Sequence, residues 1–319
     1  MKLKIQKMDD IDVDAYARLI YESRQNSPLR SEDRTIDGLK NAMEEMVGQG
    51  ESHVMIAAQD EPSNKVLGQL VVWLDWGEIG VSLPWQPIVH PETDQESVAI
   101  ALIEHAKLLL ESHSLTRLEI WMELKSELDK AMSSIYVPWY EKSGFNLKAK
   151  EYFMDVQFAK LNELNYSLPN GIEVVSMADV SNDELMDIVL ETFRRGSDKW
   201  VISMTESQQV GSAEAWLKRD KTFDSDASIV FMDEGKVVGY NVMRLEDNSV
   251  EVGPIGVLPS HRGKGLGRAL LLESVRRLRS KEPESVWLTV STDNAPAFKL
   301  YSSLGFENKY QILIYTWMP

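Results

Sequence analysis

The chain runs through one order of elements twice, and this repetition limits its fold more than any single residue does. Trp139-Tyr140-Glu141-Lys142-Ser143-Gly144-Phe145 is echoed by Leu300-Tyr301-Ser302-Ser303-Leu304-Gly305-Phe306. Ile88-Val89-His90-Pro91 is echoed by Gly256-Val257-Leu258-Pro259, and a helical pattern follows each. The echoes share their order and have similar spacing. At about 150 residues per domain, a chain of 319 residues also favours two domains.

In the first half the pattern predicts strands at 2–7, 53–58, 66–73, 117–122 and 152–158, with helices at 13–23, 35–46 and 97–110. In the second half it predicts strands at 172–175, 227–232, 236–244, 249–257, 285–290 and 309–317. Helices are expected there at 182–193, 213–219, 265–279 and 295–303. Asn162, Asn165, Pro169, Asn170 and Gly171 have linker chemistry. The expected division is a domain at 1–160, a linker at 161–171 and a domain at 172–319. Each domain is expected to be α/β (α+β), with a mixed, mostly antiparallel sheet flanked by helices.

One stretch carries more chemistry than the rest. A strand ends at Val257, Pro259 punctuates, and Arg262-Gly263-Lys264-Gly265-Leu266-Gly267-Arg268 opens an amphipathic helix. The alternating glycines permit positive φ and a close backbone approach. The unpaired N–H groups and positive dipole end of the helix add to an anion site. Arg262, Lys264 and Arg268 concentrate positive charge there, so a pyrophosphate is the natural guest. No Gly-Lys-Ser/Thr closes the loop, so it is not a Walker loop. Arg268 stands where a dinucleotide fingerprint needs its last glycine. A turn that merely starts a helix is the remaining alternative.

Composition narrows the field. The net charge of −16 opposes binding to nucleic-acid phosphates and anionic membrane surfaces. The absence of cysteine removes disulfides and thiolate chemistry. With no apolar signal segment at the start of the sequence, it points to the cytoplasm. No run approaches the ~20 apolar residues of a membrane helix. The five histidines are dispersed without metal-ligand spacing, so no metal is expected.

The loop resembles the acetyl-CoA-binding motif of the GNAT superfamily of N-acetyltransferases, Q/R-x-x-G-x-G/A, with Arg262, Gly265 and Gly267 in its fixed positions. Downstream, the stretch from Asn294 to Phe306 is close to the family's N-x-x-A-x-x-L-Y-x-x-x-G-F. The resemblance covers Ile172 to the C-terminus well. It reaches the first half only through the order of elements and the Tyr140–Phe145 echo. It implies two tandem GNAT-like domains, and an acetyl-CoA-dependent transfer of acetyl to a primary amine of a small molecule by direct attack. A non-catalytic acyl-CoA-binding module and a protein N-acetyltransferase are the alternatives.

The resemblance also assigns roles. Ile255, Gly256 and Val257 would pair by backbone with the pantetheine arm. Residues 262–268 would hold the pyrophosphate. Tyr301 stands where relatives carry the acid that protonates the leaving thiolate, or else is a core tyrosine. Glu251 stands where some carry a general base, or else is an outward strand residue. Asn294 would bind the cofactor arm, cap the next helix, or do both.

The first half lacks this equipment. With Pro91 set against Pro259, Asp94 falls opposite Arg262, Ser97 opposite Gly265, Leu83 opposite Glu251 and Ser133 opposite Asn294. Acids replace a basic cradle, so the first domain is expected to be a degenerate partner.

Overall fold

The computed structural model describes residues 2–7, 13–25, 35–48, 53–76, 78–82 and 84–319. The chain forms two compact units, Met1–Lys148 with Ile312–Pro319, and Ala149–Gln311.

Unit 1 opens with β1 (Leu3–Lys7), α1 (Val13–Gln25), α2 (Ile36–Gly48), β2 (His53–Asp60), β3 (Val66–Trp76), β4 (Ile79–Ser82) and β5 (Ile88–Val89). Then come α3 (Gln95–Lys107), α4 (Leu109–His113), β6 (Arg117–Leu124) and α5 (Glu127–Lys142). β1 to β4 pair antiparallel in sequence order, and β4 pairs parallel with β6. β2 is buried on both faces, and its alternation sorts the neighbours. Met55 and Ala57 pack with Tyr16 and Leu19 of α1, while Val54 and Ile56 pack with Val98, Leu102 and Ile103 of α3.

α5 is missing from the sequence expectation, because Pro138 lies inside it and blurs the helical pattern. Its buried residues, Met132, Tyr136, Trp139 and Tyr140, still keep helical spacing. Its length also corrects the repeat register. Ser126 caps α5, whereas Ser133 lies inside the helix, so Ser126 is the counterpart of Asn294. Leu83 lies outside the described residues.

Unit 2 takes most of β7 (Asn146–Gln157), then α6 (Phe158–Asn162), β8 (Ile172–Ser176), α7 (Asn182–Arg194), α8 (Lys199–Ser203) and α9 (Glu206–Leu217). β9 (Ile229–Asp233), β10 (Lys236–Glu246), β11 (Ser249–Val257), α10 (Leu266–Arg277), β12 (Ser285–Ser291), α11 (Ala295–Ser303) and β13 (Glu307–Trp317) follow. The strand order is β7-β12-β11-β10-β9-β8, antiparallel throughout except for the parallel pair β11–β12. Leu271, Leu272 and Val275 of α10 pack on Val250, Val252, Val286 and Leu288 on one face. Leu185, Ile188 and Val189 of α7 pack on Val230, Tyr240 and Val242 on the other. β13 begins in unit 2 and ends in unit 1, where Tyr315 joins the core.

Candidate active site

Two neighbouring strands part company at the centre of unit 2. β11 and β12 pair only at Ser249–Ser285, Val250–Val286 and Glu251–Trp287. Beyond that point β12 pairs with β7, and β11 keeps β10 alone. The edge of β11 from Val252 to Val257 is therefore left without a strand partner on the β12 side. Opposite Val242, β11 carries an extra residue at Gly253-Pro254, where the register with β10 shifts. Pro254 stands where the neighbour is lost, as a residue that cannot donate to a ladder should. Ile255, Gly256 and Val257 all lie on this open edge.

At its end, β11 feeds a 3-10 turn (Pro259–His261) and then the glycine loop. Gly263 and Gly265 have φ of +77° and +83°, and open space lies where each Cβ would be. Gly265 is the N-cap of α10 and supplies no side chain to it. None of the N–H groups from Gly263 to Arg268 donates to an acceptor among the described residues. An unsatisfied row of donors at a helix entrance is an anion cradle. Lys264 is exposed and Arg268 half-buried, and neither meets a protein partner among the described residues. Gly267 has a different task, since a Cβ there would come within 3.2 Å of Leu300 on α11.

Arg262 is turned away from the cradle. Its guanidinium donates to the carbonyls of Val257 at 3.0 Å, Arg195 at 2.7 Å and Thr192 at 3.3 Å. It ties the loop to the strand end and to the negative end of α7. His261 ties the same turn to β9, with Nε2 3.0 Å from Asp233 Oδ2.

Glu251 marks the vertex of the splay. It is half-buried, and its carboxylate has no hydrogen bond or ion pair among the described residues. Burial lifts its pKa above the usual carboxylate range; Glu246 and Asp220 add to this and Arg244 opposes it. Arg244 stands beside it across the ladder but is committed elsewhere, to Asp220 at 3.2 Å and to the carbonyls of Trp216 and Lys218. Tyr301 comes from α11, which follows β12. Its ring is buried against Phe306, its hydroxyl has no hydrogen-bond partner among the described residues, and burial pushes its pKa up. Asn294 caps α11 by accepting from the N–H of Ala297 at 3.3 Å.

Tyr240 was not visible in the sequence reading. It is fully buried and donates to Thr192 Oγ1 at 2.9 Å, the Thr192 hydroxyl itself being given to the carbonyl of Val189. A Cβ on Gly256 would come within 2.7 Å of the Tyr240 hydroxyl, so glycine is required at this point of the edge strand. A glycine inside a strand was the available signal. Phe193, Asp198 and Glu206 have structural tasks. Phe193 packs on Trp216, Asp198 caps α8 and Glu206 pairs with Arg194.

Unit 1 handles the corresponding places differently. Its α3 is capped by Asp94, whose carboxylate accepts from the N–H of Ser97 and bonds its hydroxyl. Tyr140, the counterpart of Tyr301, donates to the carbonyl of Gln86 at 3.1 Å.

The profile of the acetyltransferase (GNAT) family matches residues 183–306, which hold the splay, the loop and α11. A mycothiol acetyltransferase of Saccharomonospora viridis is 30% identical over 230 residues, 69% of this chain and 69% of that protein. This chain belongs to the GNAT acetyltransferase family. It is a GNAT-type N-acetyltransferase, and GNAT enzymes use acetyl-CoA. For three others so named, the matched stretch is under half of their length, and for that of Frankia casuarinae it is 74% at 24% identity. Among solved structures, the GCN5-related N-acetyltransferase of Sphaerobacter thermophilus aligns with a TM-score of 0.59 at 16% identity, over 99% of this chain and 95% of that one. A tandem GNAT protein from the clavulanic acid biosynthesis pathway aligns with a TM-score of 0.54 at 16% identity, over 99% and 98%. At that identity the likeness concerns the fold, which is a tandem GNAT layout. Among the described residues of this GNAT protein, no helix is long and apolar enough to cross a membrane.

Proposed function

We propose that unit 2 transfers acetyl from acetyl-CoA to the primary amine of a small molecule by direct attack, and that unit 1 holds no second active site. One observation carries this reading: an unpaired strand edge and an unsatisfied row of N–H groups are continuous with each other, and the splay that opens the edge has an unpartnered Glu251 at its vertex. The pyrophosphate would rest on the N–H groups from Gly263 to Arg268, with Lys264 and Arg268 adding charge. Asn294 would reach the cofactor arm through its amide nitrogen while its oxygen caps α11. Arg262 acts by holding the loop in shape.

In the chemistry, Glu251 takes a proton from the acceptor amine, directly or through water. The freed nitrogen attacks the thioester carbonyl carbon and forms the new C–N bond. N–H groups on the edge of β11 stabilise the charge gathering on the carbonyl oxygen. As the C–S bond breaks, Tyr301 gives its proton to the departing sulfur. A phenol held above its usual pKa stays protonated for this task. Asp94, already seated at the helix entrance of unit 1, supports the reading that an incoming phosphate is excluded there.

A thiol-release assay with acetyl-CoA across polyamines, aminoglycosides, amino sugars, amino acids and peptides tests the reading. Amine-dependent release with an acetylated small-molecule product is expected. Release with peptides alone, or none with any amine, would overturn it.

A further inference from the structure

On the face of unit 2 opposite α10, three aromatic rings form a column beside the splay. Phe153 of β7 stacks on Trp287 of β12 at 5.3 Å and 22°, and on Tyr310 of β13 at 4.6 Å and 6°. All three are half-buried, so they do not belong to the closed core. Alternation fixes their face. Val286, Leu288 and Met154 point to α10, so Trp287 and Phe153 point away from it. Glu251 lies on that same face, in register with Trp287. Phe153 of β7 takes one side of the indole, and the register neighbour of Trp287 on the β11 side is Glu251. Among the described residues the indole N–H of Trp287 has no acceptor.

Two ion pairs lie nearby on this face. Asp155 is paired with Lys309 at 3.2 Å, and Asp220 with Arg244 at 3.2 Å. An unpaired carboxylate next to the face of a tryptophan suits a cationic amine. Ring edges beyond it suit a flat apolar body. A second carboxylate on the ligand would be repelled by Glu251.

We propose that Trp287, Phe153 and Tyr310, together with Glu251, form the acceptor subsite, and that it selects a primary amine on a flat apolar body with no carboxylate beside the nitrogen. This rests on the acetyl-transfer reading and specifies its acceptor.

The test uses the full chain and three probes. Phenethylamine has the ring and the amine, phenylalanine adds the carboxylate, and ethanolamine lacks the ring. Thiol release from acetyl-CoA gives kcat/KM for each, and saturation-transfer NMR in the presence of CoA reads phenethylamine binding without turnover. Phenethylamine should exceed both others by about tenfold, and Trp287→Ala should raise its KM by about tenfold with the KM for acetyl-CoA unmoved. Trp287→Phe should restore most of the loss and Trp287→Leu should not, a pair that keeps the test alive should the alanine variant unfold. Equal rates for the three amines, or a KM indifferent to residue 287, would overturn the subsite while leaving acetyl transfer standing. Binding that depends on Trp287 without any thiol release would leave the subsite standing and sink acetyl transfer.

Discussion

Replacing Tyr301 by Phe removes one hydroxyl from a buried ring and little else. If that hydroxyl protonates the leaving sulfur, Tyr301→Phe lowers kcat by about 10²- to 10⁴-fold, the usual range for a positioned acid. The KM for acetyl-CoA should stay nearly constant, and steady-state kinetics separates the two. Glu251 gives a second test through pH. If Glu251 is the base it works deprotonated, so kcat/KM should fall on the acid side with a midpoint above the ordinary glutamate value of about 4.3. Glu251→Gln should abolish that limb. Stability has the opposite sign. A pKa raised by folding contributes stability at low pH, and this is lost as pH rises through the folded value. Glu251→Gln should therefore raise the melting temperature at pH 8 relative to wild type, and not at pH 4. A profile with no acid limb in the wild type would remove Glu251 from the chemistry.

At the scale of elements, the glycine loop makes the sharpest prediction. Gly265 has φ of +83° with nothing within 4 Å of its missing Cβ, so a side chain meets backbone strain but no clash. Gly265→Asp would place a carboxylate at the entrance of α10, as Asp94 does at the entrance of α3. The fold should survive by circular dichroism, while calorimetric titration with acetyl-CoA should show no binding. An unchanged titration would refute the loop assignment. Much of this was legible in the sequence, because turn glycines, caps and strand alternation act over a few residues. β11 and α11 have the predicted bounds, 249–257 and 295–303. What escaped depends on partners far along the chain. Arg262 looks like a phosphate ligand until Thr192 and Arg195 are seen to take its guanidinium. Tyr240 matters only because Gly256 lies beneath it. α5 was hidden by Pro138, and its extra length shifted Ser133 off the cap position.

For the whole molecule, the telling element is the last strand. Its end, from Ile312 onward, belongs to unit 1, and Ile312, Ile314 and Tyr315 are buried. Trp317 packs on the same core and lies under the ammonium of Lys107 at 5.0 Å. Losing a buried aromatic side chain alone costs about 3–5 kcal/mol. A chain ending at Gln311 should melt well below the full chain, whereas one ending at Trp317 should melt with it. Differential scanning calorimetry checks both, and equal melting of all three would show that unit 1 does without the strand. The same feature sets an order of events on the ribosome. Although the elements from β1 to α5 emerge first, their unit lacks its closing segment until β13 has left the exit tunnel, so the half translated earlier is completed after the elements of the later half have emerged.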